Sequence, residues 1–222
     1  QPLGAPATPW GQQLPMSTSH LALYEELDEA PEPHLPLWLE GDSLAPPCGS
    51  ELTALSPLLD FAEVTADDVL VDLGAGDGRV CIHATVKYGA RSVGVEVDAA
   101  ELGKFRRVVG VLGLGDRVTV LEGDFTELEI PGTPTVVTVY LLPEGIAKIR
   151  HILDAFLDRG CRVVANTWGL PWREPCKKDT TSDGLTLFMY KQELDEHGGS
   201  SASPISPTRR GAEEEEQALP SE

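Results

Sequence analysis

The stretch DVLVDLGAGDGRV, residues 68–80, runs from an apolar segment into three glycines at alternate positions, Gly74, Gly76 and Gly78, with Asp72 and Asp77 on either side. An apolar run that ends in a glycine cluster and continues as Arg79-Val-Cys-Ile-His83 predicts a buried strand, a tight turn and a helix. Glycine allows such a turn to approach a ligand closely and to present N–H groups to it. The spacing is G-x-G-x-G with Arg79 next. A dinucleotide fingerprint reads G-x-G-x-x-G, and a phosphate loop ends in Lys-Ser/Thr. Asp72 and Asp77 would repel an anionic pyrophosphate, so the turn suits a ligand that carries positive charge.

On either side the pattern alternates. Residues 50–60 have apolar residues at helical spacing, interrupted by Pro57, and residues 79–88 predict a helix closed by Gly89. RSVGVEV (91–97) predicts a second strand, and Asp98 followed by Glu101 predicts a capping box opening a helix over 99–112. RVTVLEGD (117–124) and TPTVVTVYLL (133–142) read as strands three and four. Pro143 then opens a helix with the stripe Ile146, Ile149, Ile152 or Leu153, and Phe156, ending before Gly160. CRVVANTW (161–168) and LTLFMYK (185–191) read as further strands, with Lys177-Lys178 between them in a solvated turn. Strands alternating with helices imply an α/β fold with a doubly wound, mostly parallel sheet. His83 and His151 read as ordinary helix residues.

The ends differ from this middle. Residues 1–49 form an acidic, proline-rich segment expected to be partly disordered, residues 50–194 the folded domain, and residues 195–222 an acidic disordered tail. Residues 1–50 hold seven acids and no Lys or Arg, and residues 195–222 seven acids against two arginines, so the ends carry 12 of the net −19 charge. Such acidity disfavours nucleic acid, whose binding is built from Lys and Arg on phosphates, and favours encounter with a basic protein. Cys48, Cys81, Cys161 and Cys176 form no C-x-x-C pair, so neither a zinc site nor a disulfide framework is signalled. A reducing, cytoplasmic compartment is expected by default, with a mitochondrial address if a leader precedes Gln1. No apolar run approaches 18 residues, so no membrane span is expected.

In open parallel sheets, ligands bind beyond the carboxyl ends of the strands. The glycine turn, Glu96, Asp124 and Leu141–Pro143 all fall at such ends. Glu96 is placed to accept from both hydroxyls of a ribose, because an ionised carboxylate has two oxygens and no donors. Asp124 offers an acceptor for an exocyclic adenine amine, with the ring of Phe125 beside it. A cationic sulfonium nucleoside with an amino-acid tail, S-adenosylmethionine, suits Asp72, Gly74, Gly76, Asp77, Gly78, Glu96, Asp124 and Phe125.

VDLGAGDGR, GVEVD and LEGDF, in that order, resemble the first three motifs of class I methyltransferases over roughly residues 50–191. The resemblance implies a Rossmann-like seven-stranded sheet whose last strand is antiparallel, and S-adenosylmethionine as cofactor. Where amino-directed nucleic-acid and glutamine methyltransferases carry Asn/Asp-Pro-Pro-Tyr, this chain has Val139-Tyr-Leu-Leu-Pro-Glu144. DLGAGDGR, TVVTVYLLPE and NTWGLPWREP together are most similar to a small group that includes the lysine methyltransferases of ATP synthase subunit c and of the adenine nucleotide translocase, which is distantly similar to the non-SET histone lysine methyltransferase. That likeness implies a protein lysine as acceptor. Tyr140 and Glu144 are then the candidate catalytic residues, and Leu141, Leu142, Pro143, Trp168 and Trp172 the candidate substrate channel. A small-molecule methyltransferase and an inactive cofactor-binding module stay open beside it.

Overall fold

The computed structural model describes residues 19–29, 44, 49–182 and 184–192. Most of the 1–49 segment and the whole of the 195–222 tail lie outside the described residues. Seven strands form one sheet: β1 (Val69–Leu73), β2 (Arg91–Glu96), β3 (Val118–Glu122), β4 (Val136–Val139), β5 (Arg162–Asn166), β6 (Lys177–Thr180) and β7 (Thr186–Tyr190). Their order is β3-β2-β1-β4-β5-β7-β6, parallel except that β7 runs antiparallel to both β5 and β6. This is the expected doubly wound sheet with an antiparallel last strand. The order reverses between β1 and β4, which opens a crevice at their carboxyl ends.

The strands are apolar because both faces are covered. One face packs under α2 (Leu52–Phe61), α3 (Arg79–His83) and α4 (Ala99–Leu112), through Leu55, Leu59, Ile82, Phe105 and Val108. The other packs under α5 (Pro143–Lys148) and α6 (Arg150–Asp158), through Ile146, Ile149, Leu153 and Phe156. A further helix, α1 (His20–Glu29), arises within the acidic N-terminal segment and joins the first core through Leu23 and Tyr24.

Several local readings are corrected. Lys177 and Lys178 belong to the edge strand β6, where charged side chains guard an unpaired ladder. The fourth strand is confined to Val136–Val139, since Thr133–Thr135 form the approach to the sheet and Tyr140–Leu142 leave it. The helix opened by Pro143 is broken at Ile149 (φ −96°, ψ 13°) into α5 and α6, although its apolar stripe is continuous. The helix over 79–88 ends in a π turn, Ala84–Tyr88. Asp98 does cap α4, accepting from Ala100 N and Glu101 N, but the reciprocal half of the box is replaced: Asp98 N donates to Glu96 Oε1, and Glu101 pairs with Lys104.

Candidate active site

The glycine turn leaves β1 after Leu73. Gly74, Gly76 and Gly78 all have positive φ (81°, 54° and 79°), a region other residues adopt at a cost. Gly78 also permits a close approach: a Cβ there would fall 2.0 Å from the buried ring of Phe105 in α4, and a Cβ on Gly94 of β2 would lie 2.4 Å from the same ring. Phe105 therefore wedges between the turn and the sheet and sets the height of the turn above β2.

The expectation of free N–H groups is corrected. Gly74 N and Ala75 N both donate to Val95 O (3.0 and 2.9 Å), Gly76 N donates to Glu96 Oε2 (2.8 Å), and Gly78 N donates to Ala75 O (2.9 Å). A phosphate needs donors, and this turn has used those four internally. The site that surrounds it is built instead from acceptors, carboxylates and carbonyls, which suits a cation.

Asp72 lies in β1 directly beneath the turn and is paired in register with Thr138 of β4. The two side chains share a face, and Thr138 Oγ1 donates to Asp72 Oδ1 at 2.8 Å. Burial, reinforced by the charges of Glu96 and Asp77, pushes the Asp72 carboxyl up to about 7. Asp77 is buried and gripped by Arg79, whose Nε and Nη2 donate to its carboxylate at 3.0 and 2.7 Å. Its charge is therefore matched inside the protein. Glu96 ends β2. One oxygen accepts from Gly76 N, the other from Val97 N and Asp98 N (2.7 and 2.8 Å), so the side chain is held rigidly and its freest lone pair is on the oxygen that faces Gly76. Asp124 is exposed beyond β3, accepts from Thr126 N at 2.7 Å, and stands beside half-buried Phe125.

At the ends of β4 and β5 two aromatic rings meet: Tyr140 and Trp168 stack with centroids 5.9 Å apart and planes 17° apart. Their meeting depends on a tight turn after β5, in which Trp168 N donates to Asn166 O at 2.7 Å while Thr167 adopts φ 67°. A β-branched residue in that region is strained. Leu141 is buried, and exposed Glu144 sits in the first turn of α5. Trp172 is not part of this pair. Its Nε1 donates to Asp154 Oδ1 at 3.0 Å and its ring lies under Arg150, which fastens the loop to α6.

Sequence reading missed Thr138, Phe105, Thr167 and Leu44. Thr138 was visible as the polar residue in the run VVTV. Leu44 had no such signal. Its carbonyl accepts from Leu142 N at 2.9 Å, and a Cβ on Gly145 would lie 2.4 Å from that oxygen, so Gly145 admits Leu44 beside the β4 end.

The strand order, the acceptor-rich turn after β1 and the carboxylate that ends β2 fit a class I S-adenosylmethionine-dependent methyltransferase. Residues 72–177 match the sequence model of the ANTKMT methyltransferase domain. A protein-lysine N-methyltransferase of Saccharolobus islandicus is 30% identical over 137 residues, 60% of this chain and 84% of that protein. Protein arginine N-methyltransferase 7 of Aedes aegypti is also 30% identical over 60% of this chain, but only 23% of that longer protein is covered. A crystal structure of an RNA methyltransferase from Salinibacter ruber with bound S-adenosyl-L-homocysteine has a TM-score of 0.61 and 34% identity, covering 68% of this chain and 99% of that one. The chain belongs to the S-adenosylmethionine-dependent methyltransferases related to ANTKMT, and S-adenosylmethionine is its cofactor.

Among the described residues no helix is long and apolar enough to cross a membrane, and no group of three or more His, Cys, Asp or Glu could hold a metal ion.

Proposed function

We propose that this enzyme methylates the ε-amine of lysine in a protein, most readily one of basic character. The observation that carries the reading is the stacked Tyr140–Trp168 pair at the β4 and β5 ends with the carboxylate of Glu144 in the next helix turn. Aromatic faces and a carboxylate together attract an alkylammonium and can hold its aliphatic stem. The lysine relative from S. islandicus supports the same acceptor. The Salinibacter protein is named for RNA, but a chain of net charge −19 is poorly suited to a phosphate backbone.

S-adenosylmethionine, bound against the glycine turn, supplies a methyl group already activated by the sulfonium. Gly74, Gly76, Asp72, Glu96, Asp124 and Phe125 would hold it. The remaining work is positioning. A lysine must shed a proton, here to solvent at the exposed Glu144 end of the site, before its nitrogen has a lone pair to offer. Glu144 draws the ammonium to the site, the Tyr140–Trp168 wall lines up its stem, and the Tyr140 hydroxyl with the carbonyls of Leu141 and Leu142 orients the neutral amine. Acceptors inside the cell fit the thiols Cys81, Cys161 and Cys176, which form no disulfide.

The test is transfer of labelled methyl into a cell lysate, comparing the chain with Glu96→Ala and separating protein, nucleic acid and small molecules. Label in discrete protein bands, lost in the variant and mapped to lysine, is the expected result. Label in RNA or only in small molecules overturns the reading. With a protein acceptor in hand, Tyr140→Phe and Glu144→Ala are each expected to lower kcat/KM about tenfold or more. Unchanged values would remove those roles.

A further inference from the structure

Arg79 immediately follows the glycine turn, and its guanidinium joins three segments that are distant in sequence. It clasps Asp77 of the turn through Nε and Nη2, with Nη2 to Oδ2 at 2.7 Å. Its Nη1 donates to Ser50 O at 2.9 Å, in the segment leading into α2. Its cationic centre lies 5.4 Å from the ring centroid of Tyr24 in α1. Tyr24 is fully buried and its hydroxyl points at Asp77 O, 3.3 Å away. A charged pair this deep in the protein, 11% and 7% exposed at its side chains, holds its geometry because each hydrogen bond replaces lost hydration.

We infer that Arg79 is a positioning residue that couples docking of helix α1 to the ligand-ready conformation of the glycine turn. Asp77 sits between Gly76 and Gly78, both in left-handed conformations that an untethered glycine leaves easily. The Arg79 clasp holds the intervening residue, and α1 in turn closes over the clasp. Binding of the nucleoside cofactor to the turn therefore favours a docked α1, and by thermodynamic reciprocity a docked α1 tightens the cofactor by the same factor. Arg79 itself need not touch the cofactor.

The experiment measures S-adenosylhomocysteine affinity by calorimetry, and hydrogen exchange of the α1 amides with and without that ligand, on the full chain. It needs no methyl acceptor, so it succeeds or fails independently of the lysine reading. Arg79→Ala would strand the Asp77 carboxylate and threatens folding, so the informative variants are Arg79→Lys, Tyr24→Ala and their combination. Arg79→Lys keeps the charge but not the forked geometry. Each single variant is expected to weaken the ligand about five- to tenfold. The double variant is expected to weaken it no further than the stronger single one, since both break one linkage. In the parent chain the ligand slows exchange in α1, and in Arg79→Lys it no longer does. Unchanged affinity in Tyr24→Ala, additive losses in the double variant, or ligand protection of α1 surviving in Arg79→Lys would each overturn the coupling.

Discussion

Thr167 and Asp72 are held in states that an isolated residue of their type would avoid, and each carries a measurable consequence. Strain at a left-handed β-branched residue costs on the order of 1–3 kcal/mol and persists only where the surroundings impose it. Here the gain is the stacking of Trp168 on Tyr140. Thr167→Gly is expected to unfold at or above the parent temperature while raising KM for the protein acceptor several-fold, read by thermal melts and steady-state kinetics. Asp72, pushed up to about 7, keeps its proton through acid and loses it near neutrality. Because the folded value stands above the usual 3.8, its contribution to stability is complete below that value and is lost as pH rises through about 7. A cationic ligand reverses the preference, favouring the carboxylate. Affinity for S-adenosylmethionine is therefore expected to rise with pH up to about 7. The slope should be shallower for S-adenosylhomocysteine, whose sulfur is neutral, and absent in Asp72→Asn.

Helix α4 and helix α1 meet the site in different ways. Helix α4 is set by contact, with Phe105 filling the space left by Gly78 and Gly94. Gly94→Ala drives a methyl into that ring and into Ala75, and is expected to cost about 1–3 kcal/mol in chemical denaturation, with weaker cofactor binding because the turn is lifted. Helix α1 adds polar ties to the packing of Leu23 and Tyr24. His20 Nε2 lies 2.7 Å from His83 Nδ1, and His83 Nε2 lies 2.8 Å from Ser56 Oγ. Two imidazoles share that bond only if at least one gives up its charge. Burial, then the nearby His20 and Lys87, press His83 down to about 4, against the opposing pull of Asp60. A histidine lowered from 6.5 stabilises the fold above that pH, and the contribution is lost as pH falls toward about 4. Exchange of α1 amides is expected to accelerate over this window ahead of global unfolding, and the effect should vanish in His20→Ala.

At the scale of the molecule, the net charge of −19 acts through long-range attraction. Raising salt from about 0.05 to 0.3 M shortens the screening length by more than half, so kcat/KM for a basic protein acceptor is expected to fall several-fold through KM. The Kd of S-adenosylhomocysteine, read in parallel, should move far less, because Asp72 is buried beneath the turn and Glu96 is half-buried and tied to the backbone.

The local signals in the sequence were enough for the cofactor half of the protein. The glycine spacing, the carboxylate 20 residues after Gly76 and the alternation of strands with helices are short-range patterns, and short-range sterics and burial govern turns and strand ends. They determined the fold class, and they pointed to the carboxyl ends of β1, β2 and β3, with Glu96 at a strand end, as the place for a nucleoside. Contacts between distant segments were decided only by the tertiary structure. Helix α1 and Leu44 come from a segment whose composition reads as solvated, because acidic residues on one side of a helix do not reveal that Leu23 and Tyr24 on the other are buried. Lys177 and Lys178 occupy an edge strand because β7 offered a ladder, which neither residue's preference announces. Trp168 and Trp172 look equivalent in NTWGLPW, yet one meets Tyr140 and the other Asp154, a difference set by the turn at Thr167 and by what the sheet brings near each ring.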